Sequence, residues 1–249
     1  MFMRLVQVKI KPEAEARVND MYREKALSVL QKTLGCVYAC LIKSESHQHE
    51  YISMTLWESK EHVDAYVDSG QYKRVLQDLQ PVFADSSEWK IQLSKDLTLE
   101  YAAVTEEPVV ESYAIATASA EKIAAPEQAE PMHVRLLSLK IRPEKVESFK
   151  EVYKNEIIPA LLDVAGCRYA FLTESMKEIH EFISITIWSS AKDAEKYEAG
   201  GLFQKLLDKT KPMLTELFQW KMQLGQSNPA ATSDDLRVTH YNVVTGSSF

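Results

Sequence analysis

Glycine is scarce in this chain, seven in 249 residues, which leaves no room for a glycine-rich phosphate loop. Cysteine is scarcer still: three, an odd number too small for a disulfide scaffold, so a reducing cytoplasm is the expected setting. No run of about 18 apolar residues occurs, which excludes a spanning helix of ordinary length. Basic excess is also missing. With 29 Lys+Arg against 36 Asp+Glu the net charge is −7, and neither nucleic acid nor an anionic membrane is an expected partner. The opening MFMRLVQVKIKPE alternates apolar and polar residues and reads as a strand, not as a secretory leader. What is present is 45% hydrophobic residues, enough for a sizeable core.

The strongest signal is an internal repeat. MFMRLVQVKIKPE (1–13) matches MHVRLLSLKIRPE (132–144) at an offset of 131, and the ungapped register carries roughly 30 identities over about 95 positions. Gly35-Cys36-Val37-Tyr38-Ala39 lies over Gly166-Cys167-Arg168-Tyr169-Ala170, and HEYISMTLW (49–57) lies over HEFISITIW (180–188). The tails echo more loosely: Asp96-Leu97 through Tyr101 and Val104-Thr105 against Asp235-Leu236 through Tyr241 and Val244-Thr245. The expected organisation is a first domain at 1–105, an Ala/Glu/Pro-rich linker at 106–131 and a second domain with its tail at 132–249. Within the linker, Val109–Thr117 has the composition of an edge strand.

Each copy spells the same elements. A strand at 3–10 is followed by a proline at a first helical position (Pro12, Pro143) and by a helix with apolar residues at i, i+3, i+4 (Val18, Met21, Tyr22; Phe149, Val152, Tyr153). Strands at about 36–43 and 50–57, a helix near 60–78 and a last strand near 88–94 complete β-α-β-β-α-β. The fold class is therefore α+β: two tandem ferredoxin-like domains packed sheet to sheet in one barrel.

The third strand carries two kinds of face. Ile52, Met54 and Leu56 (Ile183, Ile185, Ile187) form an aliphatic one, expected against the helices. Tyr51, Ser53, Thr55 and Trp57 (Phe182, Ser184, Thr186, Trp188) form the other, expected to line the lumen between the sheets, where packing and ligand contact both fit. On the last strand Lys90 and Gln92 (Lys221, Gln223) fall on the side opposite Trp89. Arg4 and Arg135, like Lys9 and Lys140, are cations repeated on the first strand, suited to an anionic substrate or to salt bridges at a sheet edge. His49 and His180 open the third strand as candidate bases, since imidazole titrates near neutrality. HQHE at 47–50 resembles a metal clip, but Glu178 replaces His47 in the second copy, so no metal site is expected. Cys36 and Cys40, four apart on a strand, should share a face on the order of 13 Å apart and act as structural thiols.

Each repeat resembles the antibiotic biosynthesis monooxygenase domain of the dimeric α+β barrel superfamily. The resemblance rests on KIKPE and KIRPE closing the first strand, on IIPALLDVAGCRYAFL, and on ISMTLWES and ISITIWSS followed by a helix bearing Tyr66 or Tyr197. It implies that the sheet-to-sheet pair those domains form between chains is built here within one. It also implies an oxygenase chemistry without flavin or metal. A deprotonated phenolic or quinol-type substrate gives an electron to O2 inside a dry pocket that supplies hydrogen bonds to the developing oxyanion. Tyr66 and Tyr197 are then candidate proton donors, with helix–sheet packing as their other role. A haem-degrading branch of the superfamily uses an Asn on the first strand and a Trp and a His on the last long helix. This chain has no such Asn, tyrosine at 66 and 197, and leucine at 76 and 207, so it departs from that branch. The alternative function is a non-catalytic or stress-related barrel enclosing a small hydrophobic ligand. Exposed sheet edges would allow a homodimer. Divergence at Gln7/Ser138, Val37/Arg168 and Cys40/Phe171 would let one copy keep a site while the other turns structural.

Overall fold

A computed structural model describes residues 1–93, 99–105, 108–119, 132–215 and 238–249. The first repeat opens with β1 (Phe2–Lys9). Pro12 then starts a helical run: a 3-10 turn at Pro12–Ala14, α1 (Glu15–Met21), a π-helical turn at Tyr22–Leu27, and α2 (Ser28–Leu30). β2 (Cys36–Ser44) and β3 (Glu50–Trp57) follow, then α3 (Lys60–Asp68) and α4 (Gln71–Leu79). After β4 (Asp85–Leu93), β5 (Leu99–Thr105) and β6 (Val109–Ala118), the second repeat runs as β7 (His133–Lys140), α5 (Val146–Val152), a π-helical turn at Tyr153–Ile157 and α6 (Ile158–Leu162). It ends with β8 (Cys167–Ser175), β9 (Glu181–Trp188), α7 (Ala191–Ala199), α8 (Leu202–Thr210) and β10 (Val238–Ser248).

Eight strands close one barrel in the order β1-β3-β2-β10-β7-β9-β8-β6. Every neighbouring pair is antiparallel, and each repeat supplies four consecutive strands. This is the intramolecular dimeric α+β barrel. Its fourth strands, however, are not the expected ones. β4, which contains most of the predicted last strand near 88–94, pairs among the described residues with β5 in a separate two-stranded sheet. The fourth position belongs to β6, inside the stretch read as linker, and to β10. The equivalent of β4 in the second copy, with Lys221 and Gln223, lies outside the described residues, as do the side chains of Lys90 and Gln92.

Strand register also corrects the alignment of the tails. Tyr113 faces Met3, and Tyr241 faces Val134, the residue 131 positions after Met3. Both strands then bulge, between Ile115 and Thr117 and between Val243 and Thr245. The true counterpart of Val238–Thr245 is thus Val110–Thr117, with the spacing V-x-x-Y-x-x-x-T, and not 96–105. Because β6 and β10 each bond to both repeats, they staple the halves together and leave the barrel strands without a free edge; edge pairing as a route to a homodimer does not apply to them.

The face assignment inverts as well. Inside the barrel, Ile52, Met54 and Leu56 pack with Ile183, Ile185 and Ile187, joined by Met3, Tyr38, Cys40 and Phe171. Tyr51 and Trp57 lie on the other face, in the core under the first repeat's helices, and Phe182 and Trp188 do the same in the second. Both faces are buried, and the more aliphatic one lines the lumen because two sheets meet there across side chains alone. A bulge between Cys36 and Tyr38 shifts the alternation by one residue, so Cys36 sits in the helix-side core and Cys40 in the lumen, on opposite faces. Burial raises both thiols to about 12, as it does Cys167, and they are held as inert thiols. Gly35 (φ +79°) and Gly166 (φ +90°) end the first helical run of each repeat in the left-handed region. A Cβ at Gly35 would collide with the His62 side chain, and one at Gly166 with Asp193, so both positions require glycine.

Candidate functional site

The helix-side faces of β1 and β3 form the floor of a cavity in each repeat. In the first, Arg4, Val6 and Val8 from β1 and Ser53 and Thr55 from β3 lie beneath Tyr22 from the π-helical turn, Tyr66 from α3 and Tyr72, Val75 and Leu76 from α4. In the second, Arg135, Leu137, Leu139, Ser184 and Thr186 lie beneath Tyr153, Tyr197, Phe203 and Leu206. The cavities hold about 50 and 30 Å³ of water-accessible space respectively. Eight of the predicted residues are therefore brought together as two sets: Arg4, Ser53, Thr55 and Tyr66, and Arg135, Ser184, Thr186 and Tyr197. They meet between sheet and helices, not in the lumen.

The polar groups are tied to each other. Trp57 Nε1 donates to Thr55 Oγ1 (2.9 Å), which donates to the Arg4 carbonyl (3.3 Å). Trp188 repeats the first bond to Thr186 (2.8 Å). Trp57 and Trp188 thus brace the floor from its own helix-side face, Trp57 tilted against Tyr66 and Trp188 stacked on Tyr197, with ring centroids 5.3 and 5.1 Å apart; neither lines its cavity. The Tyr22 hydroxyl donates to the Cys40 carbonyl (3.2 Å) and lies 2.8 Å from Ser53 Oγ, which must donate to it, since the phenol has one proton. Tyr153 donates to Ser184 Oγ. These two tyrosines were read only as apolar helix positions. Their placement at the start of a π-helical turn in both repeats is a structural signal the apolar spacing did not carry.

Burial sets the ionisation of the phenols. It raises Tyr66 to about 12, opposed by the positive charge of Arg4, and raises Tyr153 to about 12, opposed by its hydrogen bond with Ser184. Tyr22 is raised further by burial. All three are neutral donors at physiological pH and cannot serve as bases.

His49 and His180 fall outside this assembly. Each occupies the turn before the third strand with φ +62°. His49 Nδ1 lies 3.3 Å from Glu15 at the rim, where His49 lines a separate polar cleft of about 340 Å³ with Lys43 and Gln48, and neither imidazole lines either helix-side cavity. The expected base at the barrel rim is thus separated from the expected donors. Lys43 and Tyr51 bond to the same Glu15, whose carboxyl they hold below its usual range. Among the described residues no three His, Cys, Asp or Glu side chains converge as metal donors. Among the described residues the cavity linings offer no imidazole or thiolate to ligate a haem iron.

A duplicated ferredoxin-like unit closed into one barrel, with a hydroxyl- and arginine-floored cavity under each helical layer, defines a dimeric α+β barrel protein in single-chain form. The antibiotic biosynthesis monooxygenase profile matches residues 1–78 and again 132–209, and the chain belongs to that family. A candidate monooxygenase from Fusobacterium nucleatum subsp. nucleatum has the same fold, with TM-score 0.66 and 10% identity over 99% of this chain and 94% of that one. One from Lactobacillus acidophilus superposes with TM-score 0.64 and 8% identity (99% and 95% covered). An anthrone oxidase-like protein superposes with TM-score 0.54 and 13% identity (99% and 92% covered). No curated protein sequence matches the chain.

Proposed function

We propose that the chain is a cofactor-independent monooxygenase that oxidises a small aromatic or quinol-type molecule in a cavity between sheet and helices. Family membership supplies the reaction class. The observation that supports a site here is the convergence of Arg4, Tyr66, Ser53 and Thr55 on one cavity walled otherwise by apolar side chains.

An acidic phenol or cyclic keto-methylene compound enters as its anion and gives one electron to O2. The resulting radical and superoxide combine into a carbon–oxygen bond as a peroxide at the ring carbon. Loss of water from that carbon leaves a carbonyl, so one CH2 and one O2 become one C=O and one H2O. Tyr66, neutral to about pH 12, donates toward the peroxide oxygen that leaves as water. Apolar walls from Val6, Val8, Val75 and Leu76 exclude bulk water and strengthen these interactions. At about 50 Å³ the resting cavity takes a few waters, not a ring. Substrate entry therefore pushes α4, which bears Tyr72, Val75 and Leu76, away from the sheet. A reducing cytoplasm suits the three free thiols.

Oxygen uptake by metal-free protein across a panel of anthrones and quinols is the test. Uptake with one carbonyl formed per O2 is expected, and Tyr66→Phe should lower kcat by about 10² or more. One observation favours a second reading: among the described residues no carboxylate or imidazole lines the first cavity, as suits a barrel that binds a ligand without turning it over. Tight ligand binding with no uptake beyond buffer would select that reading.

A further inference from the structure

The two repeats place the same arginine in opposite electrostatic settings. Arg135 is 2% exposed, and its Nε lies 2.5 Å from Glu198 Oε1 on α7. Arg4 is 5% exposed, and among the described residues no carboxylate lies within 4 Å of its guanidinium; the residue of α3 corresponding to Glu198 is Val67. The Arg4 charge lies 3.9 Å from the centroid of the Tyr72 ring at the cavity wall, as Arg135 lies 4.6 Å from that of Phe203, so the carboxylate of Glu198 is what separates the two settings. Guanidinium remains charged at any physiological pH, and a buried charge held only by an aromatic face is under-compensated. Cation–π attraction offsets only part of the desolvation cost.

We propose that the repeats have divided the work: the first binds an aromatic anion, a phenolate, enolate or carboxylate, against Arg4, while Glu198 fills that role permanently in the second and silences it. Sterics agree with charge. Val18, Ala26, Val6 and Val8 of the first repeat become Phe149, Ile157, Leu137 and Leu139 in the second, and the cavity there is smaller. With no carboxylate or imidazole among its described lining residues, the first cavity selects a substrate that arrives ionised or is ionised by the field of Arg4. This inference rests on the cavity being the substrate site.

Calorimetric titration of the full chain with benzoate and with its neutral isostere benzamide tests it without any oxidation step. One benzoate per chain is expected, bound at least tenfold more tightly than benzamide. Val67→Glu, at a position 40% exposed where folding should tolerate it, places a carboxylate where Glu198 stands and should weaken benzoate tenfold or more while leaving benzamide unchanged. Arg4→Gln should make the two probes equal. Equal affinities in the wild type, no binding of either probe, two benzoates per chain, or benzoate binding indifferent to Val67→Glu would each overturn the division. Oxygen uptake keeps this separate from the oxygenase reading. Uptake unaffected by Val67→Glu contradicts the division alone, whereas selective benzoate binding without uptake contradicts the oxygenase reading alone.

Discussion

The two helix-side cavities share a plan and differ in filling. Both set arginine, serine and threonine on the sheet beneath a tyrosine from α3 or α7 and a tyrosine from a π-helical turn. In the second, larger aliphatics take up volume and Glu198 offsets the Arg135 charge from within the chain, while Arg135 Nη2 has no hydrogen-bond partner among the described residues. In the first, smaller side chains leave more space, and the arginine is met by the face of Tyr72 alone among the described residues. Duplication inside one barrel makes this possible. β6 and β10 bond to both halves, so one repeat can be optimised for packing while the other stays under-filled.

The comparison breaks most visibly at Ile157, which is 4% exposed and corresponds to Ala26. Ile157→Ala should destabilise the chain by about 2–5 kcal/mol in urea unfolding, because it opens a hole in a filled core. The reciprocal Ala26→Ile should close the first cavity, weaken ligand binding at least tenfold, and cost no more than about 1–3 kcal/mol in the same assay. Tyr22→Phe and Tyr153→Phe probe what the two sites share. Each removes the phenol partner of a serine hydroxyl and should cost about 1–3 kcal/mol, more at Tyr153, whose partner Ser184 is buried, than at Tyr22, whose partner Ser53 is half-buried.

A pH effect is smaller. The Tyr66 pKa is raised from 10 to about 12 on folding, so the neutral form is favoured in the folded state. Its contribution to stability is complete below pH 10 and is lost as pH rises from 10 through about 12; Tyr66→Phe should flatten alkaline unfolding in that window. Smallest is Glu15→Gln. This rim carboxylate bonds Lys43 and Tyr51, while the second repeat has Val146, Glu174 and Phe182 in their places. An exposed ion pair of this kind contributes about 0–1 kcal/mol, present above the carboxylate's unfolded pKa and lost as pH falls through its lowered folded value.

Much of the architecture is legible without coordinates. The 131-residue offset, the prolines that open the helical runs and the glycines that end them locate the repeats and their helices, and the alternation along 51–57 separates two faces correctly. Which face meets the helices is not legible, because both are buried: the mixed face that looked like a lumen is mixed because a cavity lies on it. Fourth strands were misplaced because Trp89-Lys90-Ile91-Gln92-Leu93 has strand composition and repeats in sequence, whereas strand pairing is a long-range property that only the partners of Met3 and Val134 reveal. The parity of Cys36 and Cys40 failed on one bulged residue. Of the candidate site residues, those on β1, β3, α3 and α7 meet at the two helix-side cavities. Tyr22 and Tyr153 line the same cavities but sit among the apolar positions of an amphipathic helix, which gives a phenol no separate signal, while His49 and His180 lie away from these cavities in turns that share φ +62°.

The most direct measurement is the crystal structure of the chain with a bound aromatic carboxylate at saturating concentration. The account predicts one molecule per chain, its carboxylate on Arg4 between β1 and a displaced α4, with the Arg135–Glu198 pair intact. Ligand in the lumen between the sheets, or on Arg135 with Glu198 turned away, would contradict it.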